Sequence, residues 1–590
     1  MNAQDHELFW DLKARELLDW KEPWTRACPP SLRSAGPCAG ESTGEWFEGG
    51  ALDVSANCLD RHIAGGRADV PALIWQGEPE DEAQVITYAG LLSQVNRAAV
   101  ALAGLGVSKG CVVGISLPAL PELVISMLAI ARLGAVHLVF PAGLSPARVS
   151  ERLAACGATL FITADGFFKA GHPVAVSQPD GGPRRIVVSR TGQKNHTGGP
   201  LTVLRPGDLW WREIMDAHST PPSLPGAVVR SGAPLFILYT SGSSGHPKGV
   251  VHSAGGFLTA CAHSARQAFE VGPGMTMWCL AEPGWIMGHA YAVYAPLCLG
   301  ATTLLYEGSP GYPRPDRIWR IAQRHRVATL ITTPALTGAL MREGEAWPAG
   351  RDLPSLRLIA SVGEKLTPEN RRWLDRAVGK GRAPVVDAWG QTETGGVLMV
   401  AGPNGGLTPL DGADVSAGAD GRLRLESPWP GMASRLVEGA LDMSDGRYDT
   451  GDLARTNPDG TISIQGRSEL SAANLPLAAV EAAVAAHPDV AEAAAVAGAE
   501  QVVVYATLRA EAADPQAMGE ILAQAVNREV EGPRFPLSVR IVEELPKTRS
   551  GKIARQALRQ AAEGRMGDVT NLTDPSVMAA LIADPGGLFG

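Results

Sequence analysis

Strand-like and helix-like segments alternate along this sequence after Tyr88, and this alternation restricts the possible folds more than any other feature. In chain order we predict a helix over 91–105, a strand over 112–117, a helix over 122–133, a strand over 136–140, a helix over 145–155 and a strand over 159–163. Such alternation is typical of a doubly wound sheet, because each helix returns the chain to begin a parallel strand. The sequence therefore predicts an α/β fold with mostly parallel sheets.

The pattern of predicted secondary structure changes twice toward the C-terminus. Residues 398–461 show short strands and Gly/Asp turns, which favours a small β-rich subdomain. After about residue 469, helices at 477–487 and 514–530 and strands at 501–508 and 537–543 suggest a small α+β domain. We predict an N-terminal domain over 1–467, a hinge over 468–470 and a mobile C-terminal domain over 471–590. The first seventy residues and residues 180–207 are interpreted as irregular segments.

Composition limits the classes of partner. The 590-residue chain has a net charge of −9 and a pI near 5.8, which argues against a nucleic-acid or anionic-membrane binder. Its 8 cysteines are dispersed without a Cys-x-x-Cys pair, a pattern that favours reduced thiols in the cytoplasm. The sequence shows neither a signal peptide nor a membrane-spanning segment, so we expect a soluble cytoplasmic protein.

A glycine- and hydroxyl-rich loop follows the apolar run 234–239, which is predicted to be a buried strand. The loop lies within Leu238-Tyr-Thr-Ser-Gly-Ser-Ser-Gly-His-Pro-Lys-Gly-Val-Val-His252. Its glycines allow backbone N–H groups to approach phosphates, its hydroxyls can donate hydrogen bonds, and Lys248 adds a positive charge. The sequence therefore predicts a phosphate site at the end of a strand, and it lacks the Gly-Lys-Ser/Thr of a Walker A loop. The alternative is a surface turn with chance hydroxyls.

Four further stretches can complete a nucleotide site. They are Val386-Asp-Ala-Trp-Gly-Gln-Thr-Glu-Thr-Gly-Gly396, Tyr448-Asp-Thr-Gly-Asp452, Gly466-Arg467 and Pro546-Lys-Thr-Arg-Ser-Gly-Lys552. The first offers carboxylates, an amide and a hydroxyl suited to a nucleotide and its Mg²⁺. The second ends in an acid suited to ribose hydroxyls, and the last holds a lysine on a glycine turn. Each is weak alone, and their order in the chain makes them strong together.

With these motifs in this order, the chain resembles the ANL superfamily of adenylate-forming enzymes, within it the acetyl-CoA synthetase branch. Further resemblance lies in Ala56-Asn-Cys-Leu-Asp-Arg61, in Trp285 with Gly288-His289, in Ser361-Val-Gly-Glu364 and in Asn571-Leu-Thr-Asp-Pro575. The resemblance implies an AMP-forming acyl-CoA synthetase. Such an enzyme joins a carboxylic acid to ATP, releases pyrophosphate and passes the acyl group to CoA.

The resemblance also implies roles for individual residues. Lys552 would stabilise the attack on the α-phosphate, Lys248 would hold the pyrophosphate, Glu393 would bind Mg²⁺, and Glu469 would be the hinge. ATP-binding positions are Thr240, Ser241, Gly242, Ser243, Ser244, Gly363, Glu364, Lys365, Asp387, Gln391, Thr392, Asp452 and Arg467. A structural ion pair is the alternative for Asp452 and Arg467. CoA-binding positions are Lys169, His172 and Arg528. Acetylation of Lys552 by a protein lysine acetyltransferase is common in this branch.

The acid pocket departs from the acetate-specific pattern. Gly390 stands where acetate-specific members place a second tryptophan, and the other pocket positions are Trp285, Ile286, Met287 and Val362. Removing an indole predicts an acid larger than acetate, with roughly four to eight heavy atoms beyond the carboxyl carbon. The alternative is that Ile286 and Met287 refill the space, so that propionate-sized acids remain preferred. Lys365 could face adenine or pair with a second acidic group on the substrate.

The segment after the hinge also departs from the family. The run over 470–477 lacks the usual glycine and arginine that line the pantetheine tunnel, and residues 497–501 look shortened. The adenylating half therefore looks intact, whereas transfer to CoA has an alternative, namely transfer to an amine, a hydroxyl or a carrier-protein thiol. A third reading is a non-catalytic nucleotide-binding module. The sequence does not indicate the oligomeric state.

Overall fold

The computed structural model describes residues 2–30, 45–176, 178–179, 181–192, 202–218, 224–240, 247–402, 405–441, 443–444, 446–467, 477–497, 501–508, 515–529, 536–548, 553–566, 569, 572, 574 and 576–583. These residues belong to two compact units. The first contains most residues before 449, and the second contains 417–423 and the residues from 449 onward. Within the described ranges, no helix combines the length and apolar character needed to span a bilayer.

The helices are Ala3–Leu17, Val54–Cys58, Asp60–His62, Tyr88–Gly104, Pro121–Arg132, Pro146–Ala155, Trp211–Asp216, Ala254–Phe269, Ile286–Gly288, Ala295–Cys298, Arg317–Arg324, Pro334–Arg342, Ala346–Ala349, Pro368–Trp373, Leu477–Ala485, Pro515–Glu529, Arg555–Ala562 and Ser576–Ala583, with π-helical turns at Ile63–Arg67, His289–Tyr294 and Leu374–Gly379.

The strands are β1 (Trp20–Glu22), β2 (Ala51–Leu52), β3 (Pro71–Gln76), β4 (Ala83–Thr87), β5 (Val112–Ser116), β6 (Val136–Val139), β7 (Leu160–Ala164), β8 (Gly166–Lys169), β9 (His172–Ala175), β10 (Arg184–Val188), β11 (Leu209–Trp210), β12 (Val229–Arg230), β13 (Pro234–Thr240), β14 (Lys248–Ser253), β15 (Thr276–Cys279), β16 (Thr302–Tyr306), β17 (Val327–Thr332), β18 (Leu358–Val362), β19 (Val385–Gln391), β20 (Gly396–Ala401), β21 (Leu407–Pro409), β22 (Val415–Ala417), β23 (Arg422–Leu425), β24 (Arg435–Leu436), β25 (Met443–Ser444), β26 (Arg447–Thr456), β27 (Ile462–Arg467), β28 (Val490–Ala497), β29 (Val502–Leu508) and β30 (Leu537–Ile541).

Two large sheets form the first unit. One has the strand order β11-β10-β7-β5-β6-β13-β14-β24, and its strands are parallel from β11 to β13. The other has the order β21-β20-β19-β18-β17-β15-β16-β3-β4, parallel from β19 to β3. A continuous hydrophobic core includes side chains from both sheets and from the helices Tyr88–Gly104, Pro121–Arg132 and Ala254–Phe269. The predicted α/β fold with mostly parallel sheets is confirmed.

Two segments interpreted as irregular contain regular structure. The N-terminal segment begins with the helix Ala3–Leu17, in which Asn2 caps the N–H of Asp5, and Trp10, Ala14 and Leu17 are buried at helical spacing. The polar segment over 180–207 contains the parallel strand β10. These two expectations were wrong because short amphipathic elements gain their stability from tertiary burial, which local composition does not show.

A buried ion pair explains why a strand forms in so polar a segment. Arg185 of β10 and Asp208 are almost fully buried, and the Nε of Arg185 donates to the Asp208 carboxylate at 2.7 Å. Burial alone would raise the pKa of Asp208, but the hydrogen bonds from Arg185 and Arg205 hold that pKa well below its ordinary value. The carboxylate is therefore ionised, and it anchors β10 between β11 and β7 in the sheet.

The second unit contains the three-stranded sheet β28-β29-β30 with helices on both faces. On β29, Val502, Val504 and Ala506 pack with the helices Leu477–Ala485 and Pro515–Glu529. The alternate residues Val503 and Tyr505 pack with Arg555–Ala562 and Ser576–Ala583. Successive side chains of a strand point to opposite faces of its sheet, so β29 packs against helices on both faces.

Candidate active site

The strands that flank the predicted phosphate loop form an antiparallel hairpin. Thr240 at the end of β13 lies opposite Lys248 at the start of β14, and both side chains are half-buried. Among the described residues, the enclosed Oγ1 of Thr240 has no hydrogen-bond partner. A buried hydroxyl is costly unless a ligand satisfies it, so this atom fits a phosphate oxygen. The predicted loop residues Ser241, Gly242, Ser243 and Ser244 lie outside the described residues.

A buried histidine joins this hairpin to the turn that follows β19. The Nε2 of His252, on β14, donates to the carbonyl oxygen of Thr392 at 2.8 Å. Burial lowers the pKa of His252 to about 4, so the ring is neutral. Sequence reasoning gave His252 no role, although it ends the loop motif. The bond fixes the Gln-Thr-Glu-Thr turn against the phosphate hairpin.

The turn itself is held by its own side chains. The Oγ1 of Thr394 accepts the N–H of Gln391 at 2.9 Å and lies 2.9 Å from the carbonyl oxygen of Gly396. The Oε1 of Gln391 accepts the hydroxyl of Tyr448 at 3.1 Å. The half-buried Glu393 lies in the same turn, and its backbone carbonyl accepts the N–H of Ala433 at 2.8 Å. The predicted residues Gln391, Thr392 and Glu393 are therefore rigidly connected.

No set of three or more His, Cys, Asp or Glu side chains in the described parts of the chain could hold a metal ion. Mg²⁺ is commonly bound by one or two carboxylates together with substrate phosphates. Glu393 therefore fits as the protein ligand of a nucleotide-bound Mg²⁺, and it does not fit as part of a dedicated metal cage.

The predicted adenine positions lie where two neighbouring parallel strands end. The exposed Glu364 and Lys365 follow β18, and Asp387 lies on β19, next to Ser361 in the sheet. The carboxylate of Asp387 accepts the N–H of Leu366 at 3.0 Å, which folds the 363–366 segment back onto β19. Burial raises the pKa of Asp387 above its ordinary value. The strand ends thus form the edge at which open sheets bind ligands.

Four of the predicted pocket residues belong to the hydrophobic core of the first unit. Ile286, Met287 and Val362 are at most 1% exposed, whereas Trp285 is half-buried. All four contribute to one hydrophobic cluster. Side chains with so little exposure leave no water-sized space beside them, so the apolar wall is closely packed.

Gly390 lies at a β-bulge, where the backbone of the neighbouring strand β20 comes close to it. The pairing of β19 with β20 shifts register between Trp389 and Gly390. A Cβ on Gly390 would lie 2.0 Å from the carbonyl oxygen of Gly396 and 2.9 Å from the Cα of Val397. A Cβ on Gly390 would therefore point into the backbone of β20, and a larger side chain would need a different path for these strands.

The predicted CoA positions of the first unit lie together at the end of a hairpin. Lys169 ends β8, His172 begins β9, and the two exposed residues are register partners. In the second unit, the exposed Arg528 lies in the last turn of the helix Pro515–Glu529.

The ribose positions of the second unit are cross-strand partners. Asp452 on β26 pairs with Arg467 on β27, and the Asp452 side chain is buried. Two further predicted residues, Glu469 and Lys552, lie outside the described residues, as do the departures noted over 470–476 and 498–500.

A layer of buried histidines behind β13 escaped sequence reasoning. The Nδ1 of His289 lies 2.6 Å from the carbonyl oxygen of Pro283, and its Nε2 lies 3.3 Å from the Nδ1 of His137. The Nε2 of His137 lies 2.5 Å from the hydroxyl of Tyr294. Burial lowers the pKa of His289 to about 3. Phe236 of β13 packs against the rings of both histidines, so a neutral polar layer supports the strand that leads to the phosphate loop.

Comparison with known protein families agrees with this geometry. Residues 60–440 match the family described as AMP-binding enzyme, residues 479–552 match the AMP-binding enzyme C-terminal domain, and residues 2–58 match the acetyl-coenzyme A synthetase N-terminus.

Comparison with individual proteins gives relatives over nearly the whole length. The chain is 38% identical to the acetyl-coenzyme A synthetase of Streptomyces avermitilis, covering 98% of this chain and 91% of that protein. It is 37% identical to the acetyl-coenzyme A synthetase of Syntrophobacter fumaroxidans, covering 98% of this chain and 94% of that protein. Among solved structures, acetoacetyl-CoA synthetase from Streptomyces lividans has the same fold, with a TM-score of 0.83 at 24% identity over 98% of this chain and 92% of the other.

Proposed function

The chain belongs to the AMP-binding enzymes, in the acetyl-CoA synthetase-like branch of the adenylate-forming superfamily. Within this branch, we propose that it activates a carboxylic acid larger than acetate. The reaction class follows from the membership itself. The protein is an AMP-forming acid–CoA ligase that uses ATP, Mg²⁺ and CoA. A carboxylate oxygen attacks the α-phosphorus, pyrophosphate leaves, and the CoA sulfur then displaces AMP from the acyl carbon.

The proposal on acid size is carried by Gly390. In the acetate-specific enzymes of the family that this chain resembles, an indole at this position closes the acid pocket. In this chain the bulge between β19 and β20 leaves less than 3 Å between a Cβ of residue 390 and the backbone of Gly396 and Val397. An indole is therefore incompatible with the local backbone, so residue 390 cannot supply the closing wall.

One observation favours a narrower candidate, a propionate-sized acid. Ile286, Met287 and Val362 are at most 1% exposed, so no long acyl chain fits beside them without movement. Closely packed apolar walls reject additional methylene groups at about 1–3 kcal/mol each. These three side chains therefore limit the acid from above, and they favour a propionate-sized acid, which is shorter than the four to eight heavy atoms predicted from the loss of an indole.

We propose the following roles for the chain's own residues. Thr240, Lys248 and the loop residues at 241–244 hold the phosphates, because the buried Thr240 hydroxyl, which has no partner among the described residues, and the half-buried Lys248 flank the loop. Glu393 binds Mg²⁺, and Asp387 positions the 363–366 segment near adenine. Lys552 would stabilise the charge that develops as the acid attacks the α-phosphate, and electrostatic stabilisation of this kind is usually the largest single contribution to catalysis.

The domain assignment stays part of the proposal. We retain an N-terminal domain over 1–467, a hinge at Glu469 and a C-terminal domain that carries Lys552, with Asp452 and Arg467 at the ribose. Lys169, His172 and Arg528 would bind the nucleotide end of CoA. Acetylation of Lys552 by a lysine acetyltransferase and a cytoplasmic location, where ATP and CoA are available, belong to the same proposal.

The experiment is acid-dependent exchange between pyrophosphate and ATP, measured with acetate, propionate, butyrate, isobutyrate and hexanoate. We expect exchange without CoA, with kcat/KM at least about tenfold higher for propionate or butyrate than for acetate, which corresponds to about 1.4 kcal/mol. Preference for acetate would overturn the size proposal and leave the ligase assignment intact. In a parallel assay, CoA should accelerate AMP release. A rate unchanged by CoA would revive transfer to another nucleophile.

A further inference from the structure

The hairpin that carries Lys169 and His172 turns through two residues in the left-handed region. Ala170 has φ 51° and Gly171 has φ 82°. Two consecutive positive φ angles between paired strand residues define a tight hairpin turn whose central N–H groups face the same side. Successive N–H groups in such a turn form a concavity suited to an anion.

A buried carboxylate of this chain occupies that concavity. Glu78 is 1% exposed, its Oε1 accepts the N–H of Gly171 at 2.7 Å, and its Oε2 accepts the N–H of Ala170 at 3.1 Å. The same Oε2 accepts the N–H of Ser309 at 2.6 Å. An ionised carboxylate can be buried at tolerable cost only when several donors satisfy it, and here the donors come from the hairpin turn and from the 307–309 segment.

Glu78 is itself rigidly placed. One guanidinium nitrogen of the buried Arg317 donates to the carbonyl oxygens of Gly77 and Glu78, at 2.7 Å and 3.1 Å. Glu80, two residues further along, forms an ion pair with Arg320. The backbone at Glu78, whose carboxylate accepts the hydrogen bonds of the turn, is thus anchored to the helix Arg317–Arg324.

A second carboxylate supports the strand before the turn. Glu307 is 3% exposed, and it accepts the N–H of Phe168 at 3.2 Å and the Nε of Arg190 at 2.7 Å. The guanidinium of Arg190 also lies over the ring of Phe168 at 4.7 Å. The hairpin is therefore held at its turn by Glu78 and along β8 by Glu307.

We propose that Glu78 is a positioning residue for CoA, holding the Ala170–Gly171 turn so that Lys169 and His172 lie side by side for the phosphates of the coenzyme's nucleotide end. As cross-strand partners, the two side chains lie on one face of the hairpin. The inference rests on the proposed function, in which these two residues bind CoA. Adenylation requires no contact with CoA, so Glu78 should affect the second half-reaction alone.

The informative substitution is Glu78→Gln, because both carboxylate oxygens accept backbone N–H groups. In either orientation, the amide NH₂ would face at least one N–H donor, so one bond is replaced by a donor–donor contact. The matched control is Glu80→Gln, on the same loop, whose carboxylate pairs with Arg320 and forms no described bond to the hairpin. Glu78→Asp keeps the charge and serves as the conservative variant.

We expect Glu78→Gln to raise the KM for CoA about tenfold or more, since a misplacement of about 1 Å in a binding group can cost up to about 100-fold. Pyrophosphate exchange should stay within about twofold of wild type. Glu80→Gln should change neither value, and Glu78→Asp should fall between. An unchanged KM for CoA in Glu78→Gln would overturn the proposal.

Two readouts separate positioning from a general structural role. In a Lys169→Ala/His172→Ala background, adding Glu78→Gln should raise the KM for CoA no further, and a full additional tenfold rise would overturn the proposal. Hydrogen exchange of the amides of Ala170 and Gly171 should accelerate in Glu78→Gln and remain slow in Glu80→Gln. Unchanged hydrogen exchange of these two amides in Glu78→Gln would show that Glu78 does not hold the turn. This readout needs no activity, so it distinguishes failure of this inference from failure of the proposed function, which would appear as absent pyrophosphate exchange in the wild type.

Discussion

The substitution Gly390→Ala tests the bulge on which the acid-size proposal rests. Its Cβ would lie 2.0 Å from the carbonyl oxygen of Gly396, so the two strands must separate by at least about 1 Å to reach the shortest contact that real Cβ atoms show. Overpacking of this kind costs about 1–3 kcal/mol, and loss of a ladder hydrogen bond adds about 1 kcal/mol. We therefore expect a destabilisation of about 2–4 kcal/mol. The β19 end should also move, which should lower acid-dependent exchange by about 100-fold.

The assay pairs thermal unfolding with pyrophosphate exchange, and Gly104→Ala is the control. Gly104 ends the helix Tyr88–Gly104, and a Cβ there would meet nothing within 4 Å. Alanine at such a helical position should be neutral or stabilise by up to about 1 kcal/mol. If Gly390→Ala matched Gly104→Ala in both melting temperature and exchange, residue 390 would not lie against β20, and the structural reason for excluding an indole would be lost.

Three further predictions concern the nucleotide site and its support. Lys552→Ala should abolish pyrophosphate exchange, while ATP binding, measured by calorimetry, persists. The control Lys547→Ala removes an ion pair with Glu492 and should retain pyrophosphate exchange. Pyrophosphate exchange by Lys552→Ala would refute the proposed role of this lysine. Thr240→Val should leave the melting temperature unchanged, because the Thr240 hydroxyl has no partner within the described residues, and it should raise the KM for ATP about tenfold. A large loss of stability would show that this hydroxyl is not available to a ligand. Acidification should destabilise the fold, because burial lowers the pKa of His252 to about 4 and that of His289 to about 3, while both bind protons near pH 6.5 in the unfolded chain. The free energy of unfolding, from urea titrations, should fall by up to about 1.4 kcal/mol per histidine for each pH unit from 6.5 toward 4, and a flat profile would contradict the neutral layer.

The sequence predicted the alternating part of the fold well because its strands are buried on both faces. The prediction of a strand over 234–239 corresponds to β13, and the predicted helix over 91–105 corresponds to Tyr88–Gly104. Strands of parallel sheets are continuous apolar runs, and these are visible without tertiary information. Their existence and type were clear, and only their ends shifted by a few residues.

The elements that sequence reasoning missed depend on distant partners. Trp10 of the first helix donates to the carbonyl oxygen of Gly412, and Arg185 of β10 depends on Asp208. The exposed Leu8 and Leu12 also weaken the amphipathic pattern of that helix. The helical spacing of the apolar residues at 10, 14 and 17 was the signal in the sequence that could have identified this helix.

The site was predicted as a set of motifs, and its internal connections were not. The hydrogen bond from His252 to Thr392 joins residues that are far apart in the chain. The hydrogen bonds from the Ala170–Gly171 turn to Glu78 also join distant segments. The bulge at Gly390 is likewise a property of paired strands. The glycine in the motif therefore indicated a missing side chain, whereas only the structure showed that the backbone of β20 lies against this position.

The preference for acids larger than acetate is tested most directly by the binding of two non-reactive acyl-adenylate analogues, acetyl and propionyl sulfamoyl adenosine, measured by calorimetry on the wild-type protein. The two analogues share the nucleotide and differ only in the acyl chain, so the ratio of their dissociation constants reports the pocket alone. We predict that the propionyl analogue binds at least about tenfold more tightly. Equal binding, or tighter binding of the acetyl analogue, would contradict the proposed substrate.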